Sequence, residues 1–247
     1  MNMLTDTVTV LSRELRPVLR NPFSVIFSMV QPLVFLALFA PLLPDPPGGS
    51  ALQWFVPGIV VMSCLFGSST TGANLLLEIQ TGSHERMLVA PLRRPALLVG
   101  RALKEIVPML AQTAIIVAVV IPFGFVLHPV GAVLGLLILA VFCVGLGALS
   151  YTLGLASKNQ DWMFWAVQQT LLFPLLLLAG MLLPIEGGPG WLQALARANP
   201  LSYVVAAERS LFNGDIANGT VLSGVIAAAV VAVLGLTVGT RAMNRSS

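Results

Sequence analysis

Long apolar stretches alternate along the chain with short segments that carry almost all of its charges. Five stretches of at least 24 residues contain no Asp, Glu, Lys or Arg, and the longest of them has 52 residues. A membrane-spanning helix needs about 20 apolar residues, so the longest stretch predicts two helices that separate at the turn-forming sequence Leu127-His128-Pro129. Period-two alternation, which is typical of strands, is absent. The pattern predicts an all-α integral membrane fold with six spans, at 24–43, 56–77, 106–127, 131–156, 163–183 and 220–240.

The composition excludes several other classes of protein. Only 9 % of the 247 residues are charged and 57 % are hydrophobic, whereas charged residues make up about 25 % of a soluble domain. A soluble enzyme, a disordered chain and a secreted disulfide scaffold are therefore excluded. Cys64 and Cys143 fall inside predicted spans without neighbouring metal-ligating side chains, so we interpret them as buried packing thiols. Because the chain shows no nucleophile–base set and no metal-ligand cluster, we expect neither catalytic residues nor a metal site.

The basic residues predict how the chain is oriented in the membrane. Six spans place both termini on one side, and that side carries 11 of the 13 Lys and Arg residues. The opposite side has only Arg197 and Arg209. By the positive-inside rule the richer side is cytoplasmic. We therefore interpret the net charge of +3 as a topology signal and expect no nucleic-acid partner. The prediction is a single transmembrane domain, 1–247. Arginine outnumbers lysine 11 to 2, which suggests a GC-rich bacterial source and hence a bacterial plasma membrane.

Residues 1–20 are predicted to form an amphipathic helix that lies on the membrane surface. Helical spacing separates the side chains into two faces. The apolar face consists of Leu4, Val8, Leu11, Leu15 and Val18, and the opposite face of Asp6, Thr9, Arg13, Arg16 and Arg20. A basic face above an apolar one suits the anionic cytoplasmic leaflet. The alternative is a plain charged tail before the first span.

The loop 78–105 is far longer than a connection between two spans requires. Gly82 is suited to end the second span, and Ser83 is suited to cap a new short helix that Pro91 would end. Pro95 then favours the start of another helix. Two interpretations stay open: a docking element for a cytoplasmic partner, or a solvated basic loop that only fixes the topology.

Two segments resemble the ABC type-2 permeases, the membrane subunits of ATP-driven exporters that include the daunorubicin-resistance and nodulation-export groups. One is ERMLVAPLRRPALLVGRALKE at 85–105, and the other runs from Phe173 to Gly214, with Asn199-Pro200 followed by Tyr203 and Arg209. The resemblance implies that two permease copies pair, most simply as a homodimer, that each receives one ABC ATPase subunit, and that residues 184–219 form short re-entrant helices at the outer face. It also implies a coupling helix seated on the ATPase, with coupling residues Ser83, His84, Glu85, Arg86, Met87, Leu88, Pro91, Arg93, Arg94 and Gly100.

The chain has no ATPase motif of its own. A phosphate-binding P-loop needs Gly-Lys followed by Ser or Thr, but Lys104 follows Leu103 and Lys158 follows Ser157. We therefore expect no cofactor on this chain, with ATP and Mg on the partner ATPase. Gradient-driven carriers generally place ionisable residues inside the membrane, and the cores of the predicted spans have none. This pattern favours an external motor over a stand-alone carrier or channel.

Small and mildly polar side chains in the second and fifth spans are candidates for a substrate path. Such residues also let helices pack and hydrogen-bond, and packing is the alternative for each of them. The candidates are Met62, Ser63, Phe66, Thr70, Asn74, Trp165, Gln169, Phe173, Leu177 and Met181. An uncharged path suits a hydrophobic or amphipathic drug or lipid-like compound, with export of a lipid-linked polysaccharide as the alternative.

The pairs Gly131/Gly135 and Gly235/Gly239 match the GxxxG spacing and predict close helix contacts.

Overall fold

The computed structural model describes residues 3–20, 22–42, 50–83, 87, 94–185 and 187–245. These ranges form helices joined by turns, and no strand occurs within them. The α-helices are α1 (Met3–Arg20), α2 (Pro22–Ser28), α3 (Val30–Phe39), α4 (Ala51–Gln80), α5 (Arg94–Lys104), α6 (Ile106–Val120), α7 (Pro129–Ala156), α8 (Asp161–Leu178), α9 (Gly190–Ala198), α10 (Pro200–Phe212) and α11 (Gly219–Arg245). Short 3-10 turns extend α3 over Ala40–Leu42 and α6 over Ile121–Phe123.

Five helical segments in the described part of the chain are long and apolar enough to cross a membrane. They are Ala51–Gln80, Pro95–Phe123, Pro129–Ala156, Asp161–Leu178 and Gly219–Asn244. The prediction of an all-α chain with several apolar helices is therefore confirmed.

The predicted first span, 24–43, corresponds to a shorter apolar helix, Ile26–Leu42. A turn at Met29 separates α2 from α3. Pro32 explains the break. Its ring clashes with the backbone carbonyl of residue 28, and it has no N–H that could donate the helical hydrogen bond to that carbonyl.

Capping side chains explain where several helices begin. Ser50 precedes α4 and its hydroxyl accepts a hydrogen bond from Gln53 N at 3.2 Å. Asn199 caps α10 in the same way, accepting from Leu201 N at 3.0 Å, and Pro200 occupies the first helical position. An N-cap oxygen satisfies a backbone donor that would otherwise have no partner, and proline needs none there.

The core lies around α7, which packs most extensively against α11 and α4. Glycines allow the backbone of α7 to approach both neighbours. A Cβ added at Gly145 would lie 2.6 Å from Ala232 N on α11, and one added at Gly154 would lie 2.8 Å from Gly72 O on α4. Ser150 reinforces the α4 crossing, because its hydroxyl donates to Ser69 O at 2.6 Å. The close contacts predicted at the GxxxG pairs are confirmed, since added Cβ atoms there would overlap neighbouring helices.

Candidate functional site

The helix α5 forms the second half of the loop 78–105 and packs directly on α1. The crossing point is Gly100, where an added Cβ would lie 2.8 Å from Val10 Cγ1 and 3.1 Å from Thr7 O. Leu97 and Leu98 are buried on the same helix. The structure thus places Gly100, one of the predicted coupling residues, at the close contact between α5 and the N-terminal helix.

The face of α1 opposite its apolar side is partly buried in the structure. Asp6 is only 1 % exposed and Thr7 is buried beside it, whereas Leu4 is 80 % exposed and Val8 is 62 % exposed. The sequence placed Asp6 on the face opposite Leu4 and Val8, and the structure buries this part of that face. The physical reason is the contact with α5, which covers this side of α1 and which the sequence of α1 alone does not reveal.

Arg101 is the centre of a buried group of charges at this end of the molecule. Its guanidinium donates to a carboxylate oxygen of Glu78 on α4, and its Nε lies 3.7 Å from Glu14 Oε1 on α1. The same side chain lies 3.8 Å from Met87 Sδ and 5.4 Å from the ring centroid of Tyr151 on α7. Arg101 thus connects three helices to α5 and to the loop residue Met87.

A second charged pair lies one turn further along the chain. Lys104 Nζ is 3.3 Å from Glu105 Oε1, and the Thr71 hydroxyl donates to the same oxygen at 3.0 Å. We name the five residues Glu14, Glu78, Arg101, Lys104 and Glu105 the charge cluster. Buried charges are tolerated when they are paired and hydrogen-bonded, and these contacts supply that pairing across α1, α4 and α5.

The charge cluster borders a cleft of about 560 Å³ between α1, α4 and α6. Thr70 and Asn74 of the predicted path are both exposed and line this cleft, with Gly67 beside them. On the far wall, Gln112 donates to Ser28 Oγ at 2.7 Å, which fixes α6 to α2. The cleft therefore joins the charge cluster to the small-residue face of α4.

Part of the predicted coupling segment lies outside the described residues. This applies to His84, Glu85, Arg86, Leu88, Pro91 and Arg93. Among the others, Ser83 is half-buried, Met87 contacts Arg101, and Arg94 begins α5. The roles of these residues in coupling stay predictions.

Sequence reasoning missed the charge cluster as a site, although one signal was present. Leu97, Leu98, Arg101 and Ala102 recur at the spacing of one helical face, and all four are buried. An arginine on the apolar face of a helix needs a buried acid as partner. That rule would have pointed to an acid on the same predicted side of the membrane, but it could not have identified Glu78 and Glu14.

The predicted path residues fall into three places in a single copy of the chain. Met62, Ser63 and Met181 are buried in the core, and Phe66 is half-buried beside them. Thr70 and Asn74 face the cleft. Trp165, Gln169, Phe173 and Leu177 follow one another at four-residue intervals and form an exposed stripe along α8, which we name the α8 stripe. One copy does not bring the three groups into one channel.

The opposite end of the helices is held together by polar contacts to backbone carbonyls. Arg209 on α10 donates to Trp54 O at 3.0 Å and to Gly180 O at 2.7 Å, and its guanidinium lies 3.7 Å from the centroid of the Trp54 ring. Gln53 donates to Val126 O and to Phe212 O, at 3.0 Å and 2.9 Å. The segment predicted as an outer re-entrant region thus contains a helix, α10, that is fastened to α4 and to the turn after α8.

Comparison with known proteins gives a consistent result. Residues 5–213 match the ABC-2 type transporter family. The chain is 28 % identical over 216 residues to a daunorubicin resistance ABC transporter permease protein of Streptomyces coeruleorubidus, covering 85 % of this chain and 76 % of that protein. It is 30 % identical over 202 residues to the transport permease ycf38 of Cyanophora paradoxa, covering 78 % and 69 %. A permease of Mycobacterium tuberculosis, whose name assigns it to doxorubicin resistance, is 25 % identical over 201 residues, covering 79 % and 72 %.

Proposed function

Since the chain belongs to the ABC-2 type transporter family, and is thus a multi-pass membrane permease subunit of an ABC transporter, we propose that it exports hydrophobic or amphipathic compounds from a bacterial cell. ATP and Mg²⁺ bind to a separate ATPase subunit, which hydrolyses the nucleotide. The names of the relatives in Streptomyces and Mycobacterium, which refer to daunorubicin and doxorubicin resistance, support a drug-like substrate. The uncharged character of the α8 stripe supports it as well.

The charge cluster is the observation that supports coupling of this permease to a separate ATPase. A force applied to the loop 78–105 reaches Met87 and Arg101, and Arg101 is hydrogen-bonded to Glu78 on α4 and forms an ion pair with Glu14 on α1. Packed cores deform little and move as units, so displacement of the loop would tilt α1, α4 and α5 together. In this proposal the ATPase docks on the loop, and the charge cluster transmits its movement to the spans.

We further propose that six spans cross the plasma membrane, with Ile26–Leu42 as the first and with both termini in the cytoplasm. The excess of Lys and Arg at the charge-cluster end supports this orientation. The shorter first helix reaches across because its hydrophobic length can be matched by local thinning of the bilayer. The helix α1 would then lie at the cytoplasmic surface, with Leu4 and Val8 toward lipid.

The substrate path is proposed to form between two identical copies. Trp165, Phe173 and Leu177 are 52 %, 48 % and 58 % exposed in the single chain. Apolar side chains exposed in a regular stripe mark a surface that contacts another helix or lipid. In a homodimer the two α8 stripes would face each other across the axis and line an uncharged passage.

The experiment that tests this function compares transport with and without the motor. The full-length chain is reconstituted in proteoliposomes with a candidate ABC ATPase subunit, and ATP-dependent uptake of daunorubicin is followed by fluorescence quenching. We expect uptake only when both subunits and ATP are present. Uptake by the chain alone would contradict the proposal and identify a stand-alone carrier.

The docking step has its own control. Substitution of Glu85 and Arg86 by Gln is expected to abolish co-purification with the ATPase, whereas Asp215→Asn, an exposed change near the other end, is expected to leave it intact. Unchanged co-purification of the first variant would remove the coupling assignment.

A further inference from the structure

A carboxyl group that the mechanism above does not use lies buried at the end of the molecule opposite the charge cluster. Glu208 on α10 is 0 % exposed. It faces Gly135 on α7, where an added Cβ would lie 3.1 Å from Glu208 Cδ and would overlap one carboxyl oxygen. One turn earlier, a Cβ at Gly131 would overlap Leu211 O. The Gly131/Gly135 pair therefore forms a groove that receives α10 and its carboxyl group.

Neither oxygen of Glu208 has a hydrogen-bond partner among the described residues. By contrast Glu105, which is also buried, has partners in Thr71 and Lys104. An isolated carboxylate in an apolar interior is so unfavourable that the group takes up a proton instead. Consistently, burial raises the pKa of Glu208 to about 8.

Two titratable side chains near Glu208 make contacts elsewhere. Arg209, the next residue on α10, donates to Trp54 O and Gly180 O, and His128 Nδ1 lies 2.9 Å from Phe212 O. None of the other titratable side chains described on the packed helices bonds to Glu208. These are Cys64 and Glu78 on α4, Cys143 and Tyr151 on α7, Asp161 on α8, Arg197 on α9, Tyr203 on α10 itself and Arg241 on α11.

We propose that Glu208 is a proton-binding site that locks α10 into the Gly131/Gly135 groove, so that the outer end of the permease opens more readily as the external pH rises. In the closed form the carboxyl is neutral and retains its O–H bond. When α10 leaves the groove, water reaches the carboxyl, the O–H bond ionises and the proton passes to the medium. The proposal goes beyond ATP-driven export, since it gives the permease a proton-linked gate.

The direction of the effect follows from proton linkage. The closed form holds the proton up to about pH 8, whereas an open, hydrated glutamate releases it near its ordinary pKa of 4.5. Protonation therefore contributes its full stabilisation of the closed form below about pH 4.5, and this stabilisation is lost as the pH rises to about 8. Within this window each pH unit raises the ratio of open to closed molecules about tenfold.

Hydrogen exchange on the full-length chain in lipid nanodiscs tests the proposal without any ATPase. The measured quantity is the exchange rate of α10 amides divided by that of amides in the central part of α7, 136–150, in the same sample. Taking this ratio cancels the intrinsic pH dependence of exchange. Between about pH 5 and about pH 8 the ratio is expected to rise about tenfold per unit. A flat ratio in the wild-type chain would overturn the proposal.

Two variants separate proton binding from packing. Glu208→Gln keeps the shape and remains neutral, so the pH dependence of the ratio is expected to disappear. Asp215→Asn, an exposed acid just beyond α10, is expected to keep it. Infrared difference spectra at about pH 6 should show a protonated carboxyl C=O band that the Gln variant lacks. Absence of that band would also overturn the assignment, and if the Gln variant fails to fold, the wild-type exchange ratio decides alone.

Discussion

Replacement of Arg101 by Met provides the sharpest test of the charge cluster. The substitution removes the charge and the hydrogen-bond donors but keeps an unbranched side chain of similar length. The Arg101 side chain is only 4 % exposed, and its partners Glu14 and Glu78 are 13 % and 22 % exposed. The variant therefore leaves two largely buried carboxylates without their common counter-charge.

The expected loss follows from the fate of those carboxylates. Breaking a buried ion pair by removing one partner costs about 3–5 kcal/mol. Because Glu78 still reaches water with part of its side chain, we expect a value at the lower end, about 3 kcal/mol. In a chain of this size about 1 kcal/mol corresponds to about 2–4 °C in Tm, so the midpoint should fall by about 6–12 °C.

The measurement is thermal unfolding of the purified chain in detergent, in which the fraction of protein that remains monodisperse is recorded at each temperature. Arg16→Met is the matched control, since Arg16 is exposed on α1 and its removal should change the midpoint by less than about 2 °C. The decisive comparison is the double variant Arg101→Met/Glu78→Gln. Neutralising Glu78 together with Arg101 avoids leaving that carboxylate without a counter-charge, so the double variant should recover part of the lost stability. A double variant no more stable than Arg101→Met would refute the reasoning.

Three further substitutions test other parts of the structure. Gly235→Val places a branched side chain against the backbone of α7 and is expected to abolish accumulation of folded protein, measured by size-exclusion chromatography of a fluorescent fusion. Arg209→Lys loses the planar fork that bonds two carbonyls and covers Trp54, so unfolding should become easier by about 1–3 kcal/mol; an unchanged midpoint would contradict this. Phe173→Ala in the α8 stripe should lower ATP-dependent daunorubicin uptake severalfold, whereas Leu171→Ala, equally exposed on the same helix, should not; equal effects would remove the stripe from the path.

The helices could be predicted from the sequence because the length of an apolar run is a local property. The turn at 127–129 and the helix start near Pro95 also follow from local chemistry, and the structure has helices beginning at Pro129 and Arg94. The first span is the exception. Its run is long enough, but Pro32 interrupts the hydrogen bonding, and the run divides at Met29.

The candidate site could be predicted only in part, because burial depends on the partner helix. Gly100 was singled out through a resemblance, yet the reason for a glycine there is the side chain of Val10, about 90 positions earlier in the chain. Asp6 was assigned to the polar face of α1, and the spacing within α1 does not show that α5 covers it. In both cases the missing information is a contact between segments distant in sequence.

Glu208 shows why the argument from span composition was incomplete. The cores of the predicted spans contain no charge, and this pattern favours an external motor over ion coupling. However, α10 lies outside the spans and still inserts its carboxyl between helices, because Gly131 and Gly135 leave room for it on α7. An ionisable group can thus enter the packed interior from a helix that does not cross the membrane. Charge-free spans therefore argue against an ion relay along a span, but they do not argue against a proton site at its end.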